Sequence, residues 1–436
     1  MTDFTIILRS LRTRLVSTVI TIATVATAVS ILLVLLSLRA SAMRAFDRGT
    51  GNVHLLVSRD ASPLVSVLNG LFYAAPPAKP LMYREYEKLQ KSAPLEWSVP
   101  VQLGDSYQGQ WPVLATTPEF FTRFRPAEDA AWEFTAGKAF GGDFEVVVGA
   151  AAARATGLKV GDHIHLTHGT GLAGVHVHAG YEYDVVGVLA PTGTAHDRAL
   201  FTSLQSAWIV HASDRLEREH HDEGHDAAHD HEETLTAADL TDEDRKLTNV
   251  FVRVATRPGS DVSASIPVVM EMWRREPAFA AAPLTVAGPQ AEIRRLRGIV
   301  GNVDQILLAM AGAVMLSSSV GILLALYNSM EQRRRQIAIL RVLGASPGRI
   351  FGLILTESAV LGIAGAVTGA VLALGGGVIA SQTLKERLGL VVSAAPDPGA
   401  VLGVTVAALA LACAAGILPG VVAYRTSVAG ALRPSA

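Results

Sequence analysis

The residues best suited to chemistry in this chain are its histidines, and all 13 fall between His54 and His231. Five of them, His220, His221, His225, His229 and His231, are interleaved with Asp222, Glu223, Asp226 and Asp230. On a helix, His221, His225 and His229 would share one face at i, i+4 and i+8, a spacing that supplies two imidazoles to one Zn²⁺, Cu²⁺ or Ni²⁺ ion. Imidazole is largely neutral at pH 7 and suits borderline metals. His163 with His165, and His176 with His178, are i, i+2 pairs that would share one face of a strand. The same His and acid composition also describes a solvated loop that these residues merely keep soluble. The expectation is Zn²⁺ or another divalent transition metal at 220–231, with His163, His165, His176 and His178 read as ordinary polar surface. No catalytic constellation accompanies them, since this region contains neither a GxSxG elbow nor an HExxH helix. The single cysteine, Cys413, lies in an apolar segment and supports neither a disulfide framework nor a CxxC site.

The elements that must position these histidines follow from hydropathy. Half of the residues are hydrophobic, 17% are charged and 6% aromatic, and mean hydropathy is +0.34, the balance of a membrane protein. Arginines border the apolar segments while acids and histidines collect between residues 40 and 300, so nucleic acid is not an expected partner. Leu15–Leu38 carries no charge and is long enough to cross a bilayer, which takes roughly 20 apolar residues. A signal peptide is the competing reading, given Arg9, Arg12, Arg14 and the Ala40-Ser41-Ala42 sequence, but an h-region spans only about 7–15 residues. Further spans are expected at Ile306–Met330, Phe351–Thr383 and Ala400–Tyr424. Glycines such as Gly362, Gly365, Gly369 and Gly375–Gly377 suit close helix packing in lipid.

Residues 39–305 hold no comparable apolar run. Strands are expected at Glu145–Gly149, His163–Thr167, Tyr181–Leu189 and Asn249–Ala255. Helices are expected at Ala150–Thr156, Tyr83–Gln90, Val262–Arg275 and Gln290–Asp304. The fold class is a four-helix membrane protein, one span then three, with a large extracytoplasmic α+β domain inserted after the first. The division is 1–38, 39–305 with a His-rich loop at 211–244, and 306–436. Arg9, Arg12 and Arg14, the arginines at 333–335, 341 and 349, and Arg425 and Arg433 place both termini in the cytoplasm. Lys385 and Arg387 on the far side are partly offset by Glu386.

Glu331–Ile350, between the second and third spans, joins a basic run to an apolar stripe of Ile337, Leu340 and Leu343. Gly344 and Pro347-Gly348 would end a short amphipathic helix at the membrane surface, its arginines giving a face that can pair with acids of a soluble partner. Topology enforcement and contact with lipid phosphates are the plainer use of those arginines. Glu357 is an acid within the third span, expected to pair with a hydroxyl or arginine rather than relay protons.

Residues 334–345, RRQIAILRVLGA, resemble the signature loop of MacB/FtsX-type ABC transporter permeases. Glu357-Ser358, Gly416-Ile417-Leu418-Pro419-Gly420 and Ala429-Gly430-Ala431-Leu432-Arg433 are similar to that family's later motifs, and 148–164 with Val185–Val188 to its extracytoplasmic core. Gln336 replaces a common glutamate, and the histidine-rich insertion lies outside the family pattern. The resemblance implies the permease subunit of an ATP-driven complex in a bacterial inner membrane, a homodimer that is itself no enzyme. ATP would be hydrolysed by a separate ABC ATPase, since no GxxxxGK[ST] loop is present. The coupling residues would be Arg334, Arg335, Ile337, Leu340, Arg341, Leu343 and Gly344. A periplasmic protein partner and a link to zinc are further expectations. The alternatives are a non-transporting regulator of an envelope hydrolase, or a metal-sensing membrane receptor.

Overall fold

A computed structural model describes residues 3–75, 79–169, 176–178, 180–222, 235–256, 261–388 and 396–425. It falls into two compact units: Met1–Ala42, Ile299–Thr383 and Val392–Ala436 form the first, Met43–Gly298 with Leu384–Val391 the second.

Among the described residues, four helices, all mainly in the first unit, are long and apolar enough to cross a membrane: Leu15–Gly49, Gln305–Met330, Pro347–Gln382 and Pro398–Arg425. Lipid gives no hydrophobic reason for helices to associate, so close contact must come from small residues and polar bonds between helices. Gly365 and Gly369 lie against the first span, where an added Cβ would come within 2.5 Å of Val25 and 2.6 Å of the Ala26 carbonyl. Gly362 meets Ala412 of the last span in the same way. Gly375, by contrast, faces open space. Ser319 adds a hydrogen bond to the Leu411 carbonyl at 2.9 Å. Pro419 sits inside the last helix.

The second unit is built on a 12-stranded mixed sheet whose main path runs 285–287, 55–58, 249–254, 95–107, 111–116, 200–203, 145–148, 183–189, 134–137. Pairing is antiparallel along most of it and parallel where 200–203 meets 111–116 and where 183–189 meets 145–148. The central strands are continuous apolar runs because both sheet faces are covered. Along Asn249–Val254, Phe251 points into one hydrophobic core while Val250, Val252 and Val254 point into another. Val147 likewise enters the first core, and Val146 and Val148 a third. Helix Ala150–Thr156 follows directly on Glu145–Val148, as its sequence requires. The run 163–167, expected as one strand, is instead two short strands, His163–Ile164 and Thr167–His168, that pair with different neighbours.

His196 is fully buried among Phe120, Phe124, Trp132 and Phe201, with Nδ1 bonded to the Tyr73 hydroxyl. Burial pulls its pKa down to about 3, so the folded chain keeps it neutral where the unfolded chain would protonate it near pH 6.5. Stability should therefore fall as pH drops from about 6.5 towards 3, by on the order of 1.4 kcal/mol per unit from this group, and be indifferent to it above that window. All 5 tryptophans belong to this unit, so urea unfolding followed by their fluorescence reads it directly. His196→Gln should flatten the acid slope relative to wild type; an unchanged slope would exclude His196 as its source.

Candidate metal centre and coupling element

One group of metal-ligating side chains converges in the second unit: Asp105, His168, His178 and His211 each offer a ligand atom, all within 4.8 Å of one another. Asp105 lies on Leu95–Tyr107 where pairing with Trp111–Thr116 slips between Leu103 and Ser106; such an irregularity re-aims a side chain out of strict alternation. His168 sits directly across from Asp105 in the ladder. His178 follows the strand His176–Val177, which pairs with Thr167–His168. His211 comes from the helix Leu204–Asp222.

The geometry is centred on the Asp105 carboxylate. His211 Nε2 donates to it at 2.9 and 3.1 Å, His168 Nδ1 lies at 3.1 Å and His178 Nε2 at 3.9 Å. Outer partners fix two of the rings. The Gln102 amide lies 2.8 Å from His211 Nδ1; turned so that Oε1, otherwise unpartnered, accepts from Nδ1–H, it keeps a proton on Nδ1 and leaves Nε2 as the nitrogen that faces Asp105. His178 Nδ1 bonds Asp214 at 3.2 Å. Exposure is graded, from 1% for the His178 side chain and 10% for Asp105 to 55% for His168.

Burial alone would raise the Asp105 pKa, but the His211 charge and the hydrogen bonds from His168, His178 and His211 hold it well below the usual carboxylate range. Burial would lower His178, yet the bonds and charges of Asp105 and Asp214 push it up to about 9. His168 is raised, chiefly by its bond to Asp105. Without a metal the cluster is thus an ion pair that shares protons among imidazoles. Three nitrogens and one carboxylate oxygen are also a four-donor set for a borderline divalent cation.

The histidines marked in the sequence fare differently. His163 bonds Asp184 at 2.6 Å and His165 the Tyr181 carbonyl at 3.1 Å, both exposed and outside the cluster. His178, read as polar surface, is instead buried within it, its side chain 1% exposed between Asp105 and Asp214. His176 is on the preceding strand. His220 and His221 lie on the last turn of Leu204–Asp222, while His225, His229 and His231 lie outside the described residues. Asp105 and His168 gave no sequence signal of metal ligation; only the alignment of two distant strands brings them together.

The segment around 331–350 differs from the short surface helix expected. The helix Pro289–Val342 runs through it unbroken, since EQRRRQIAILRV contains strong helix formers and neither Gly nor Pro. It ends in a Schellman motif: Ala345 N–H bonds the Leu340 carbonyl at 3.0 Å and Gly344 N–H the Arg341 carbonyl at 3.1 Å. Gly344 takes φ +97°, the left-handed conformation that this cap demands. Ser346 then caps the next helix through Arg349 N–H at 3.2 Å. Gly344-Ala345-Ser346-Pro347-Gly348 therefore matches G-x-S-x-G in letters only; it joins helix to helix, not strand to helix.

The expected stripe of Ile337, Leu340 and Leu343 is split. Ile337 is buried with Met330, Ile350, Ile354 and Ala423, and Leu340 is half-buried. Leu343 is 77% exposed, beside Val342 at 64% and Ile339 at 47%. Arg334 and Arg335 lie on the same helix, their side chains outside the description. An unexpected helix, Asp3–Thr13, packs alongside. Its Asp3 pairs with Arg349 at 2.6 Å and its Ser10 donates to Glu357 at 2.9 Å. The Arg14 that follows reaches the Ser329 carbonyl at 2.9 Å. A cleft of about 480 Å³ opens among Ser10, Arg14, Gln336, Leu340, Ile354 and Glu357.

The family described as MacB-like periplasmic core domain matches residues 18–266, more than half of the chain, and FtsX-like permease C-terminal matches 308–428. The chain belongs to the MacB/FtsX-like permease family. An uncharacterised ABC transporter permease of Methanocaldococcus jannaschii is 24% identical over 124 residues, 28% of this chain. The match spans only 31% of that relative's own length. The crystal structure of the extracellular domain of the noncanonic ABC-type transporter YknZ from Gram-positive bacteria aligns with 54% of this chain and 99% of its own. Its sequence identity is 10% and its TM-score 0.29. As a MacB/FtsX-like permease with four apolar helices, the chain is a multi-pass membrane protein.

Gly344→Val should strain the Schellman turn of this permease by about 1–2 kcal/mol, since a β-branched residue resists positive φ. An added Cβ meets nothing within 4 Å, so the cost is conformational rather than steric. Amide exchange at residues 340–346 should quicken by roughly tenfold in the variant while the spans stay protected; unchanged exchange would deny the turn its dependence on glycine.

Proposed function

We propose that this permease is the membrane subunit of an ATP-driven ABC complex, in which a separate soluble ATPase moves the spans and, through them, the domain inserted after the first. The observation that carries this reading is the end of the helix Pro289–Val342, where Ile339, Val342 and Leu343 are exposed while Ile337 anchors the same turn in a buried cluster. An apolar tip on a fixed base, with Arg334, Arg335 and Arg341 close by in sequence, suits a groove with an acidic rim on a soluble partner. Because Gly344 closes the helix in a defined turn, force applied to the tip is passed to the helix axis rather than lost in a loose loop.

The arginine distribution supports a cytoplasmic position for this tip and for both termini, which leaves the inserted domain on the opposite side, the periplasm of a bacterial inner membrane. Two permease copies on two ATPases complete the complex. The few buried polar residues of the spans, Glu357 among them, favour transmission of motion over passage of a hydrophilic substrate through the bundle. A link to zinc or a similar divalent metal, with a periplasmic protein as donor or acceptor, is the reading that the histidines of the inserted domain support.

The test is reconstitution of the permease with its ABC ATPase in lipid. Leu343→Asp and Arg341→Glu should each lower co-purification and cut ATP turnover of the complex by tenfold or more, whereas Ile299→Asn, exposed on the same helix but remote in sequence from the tip, should leave both near wild type. Wild-type turnover in Leu343→Asp and Arg341→Glu would exclude the tip as the docking surface.

A further inference from the structure

The cluster in the inserted domain goes beyond the coupling reading and does not depend on it. We propose that Asp105, His168, His178 and His211 bind a single divalent transition metal, with Zn²⁺ the best match. The ligands come from three separate pieces of chain: the irregular part of strand Leu95–Tyr107, the short pair Thr167–His168 and His176–Val177 with the residue after it, and the helix Leu204–Asp222.

Four observations carry the assignment. First, the donors already lie close to a coordination shell. Tetrahedral ligands at about 2.0–2.1 Å from Zn²⁺ stand roughly 3.3 Å apart, and His211, His168 and His178 lie 2.9, 3.1 and 3.9 Å from Asp105 Oδ1. The ring centroids are spaced at 5.2 and 6.2 Å, so the imidazoles surround a common point instead of stacking.

Second, the rings are held from behind. Gln102 grips His211 Nδ1 and Asp214 grips His178 Nδ1, which turns both Nε2 atoms towards Asp105. A carboxylate behind a ligating imidazole fixes its orientation and raises its basicity. Asp214 lies one turn from His211 on the same helix, so one rigid element supplies both a ligand and the support of another.

Third, the donor chemistry selects the ion. Three imidazoles suit Zn²⁺, Cu²⁺ or Ni²⁺, whereas Ca²⁺ and Mg²⁺ require mostly oxygen. Four protein donors that can close a shell without water match the four-coordinate habit of Zn²⁺.

Fourth, the site has a floor and an entrance. His178 is closed off from solvent while His168 is 55% exposed, so an ion can enter past His168 and settle against Asp105 and His178. Bound there, it would tie the strand pair to the helix Leu204–Asp222, whose far end leads into the His220–His231 segment.

The experiment uses the full-length permease in detergent, without any ATPase, titrated with Zn²⁺ against a chromophoric chelator. Wild type should retain one tightly held equivalent that Ca²⁺ and Mg²⁺ do not displace. His168→Ala and His211→Ala should weaken that equivalent by roughly 10- to 100-fold, the range typical of damaged metal sites. His168 is 55% exposed, so His168→Ala opens no buried cavity, but it also removes the bond to Asp105; tryptophan fluorescence therefore checks the fold of both variants, and rescue by the next variant separates lost ligation from misfolding. His168→Cys should restore binding and, with Co²⁺ in place of Zn²⁺, add a thiolate charge-transfer band. Removal of 220–231 should leave the tight equivalent intact. The assignment is overturned if wild type holds no tight equivalent, the cluster then being a hydrogen-bonded ion pair only, or if binding survives His168→Ala and His211→Ala and vanishes with 220–231. None of these outcomes bears on the ATPase, so failure here leaves the coupling proposal to its own test.

Discussion

Helices in lipid gain nothing by hiding apolar surface from a solvent that is itself apolar, and the membrane unit of this permease is arranged around that constraint. Cohesion comes from contact at short range. Gly365 and Gly369 admit the first span, Gly362 admits Ala412, and Gly416 and Gly420 receive Ser358 and Phe351. At Gly375, by contrast, no described residue of the chain comes within 4 Å of an added Cβ. The interhelical bond from Ser319 to Leu411 adds direction to these contacts.

In the inserted domain the constraint is reversed, because water rewards burial and penalises unpaired charge. Its sheet is covered on both faces, so successive residues of Asn249–Val254 serve different cores. Into this apolar frame the fold admits Asp105, a carboxylate whose burial would cost several kcal/mol were it alone. Three imidazoles offset the cost. His196 shows the opposite solution in the same domain: with aromatic rings about it and no carboxylate paired to it among the described contacts, it remains neutral. Two buried histidines, His178 and His196, are thereby driven in opposite pKa directions by their surroundings alone.

The helix Pro289–Val342 continues from the second span to the exposed tip at Leu343 without a break, over a stretch that holds neither Gly nor Pro. The helix Asp3–Thr13 braces that region from the other end of the chain through Arg349 and Glu357. Neither partner could have been chosen from sequence, because these pairs are separated by 346 and 347 positions.

What the sequence determined by itself is whatever depends on neighbours along the chain. Uninterrupted apolar runs specified four spans, valine-rich stretches specified strands buried on two faces, and RRQIAILRVLGA carried the family resemblance; each property is a sum over a short window. The metal-ligating cluster is not of that kind. Asp105 is 63 positions from His168 and 106 from His211, and the sequence drew attention instead to the dense run at 220–231. Only the pairing of Leu95–Tyr107 with Thr167–His168, and the packing of Leu204–Asp222 beside them, decided which histidines meet a carboxylate. A ligand shell needs convergence in three dimensions, and density along the chain does not supply it.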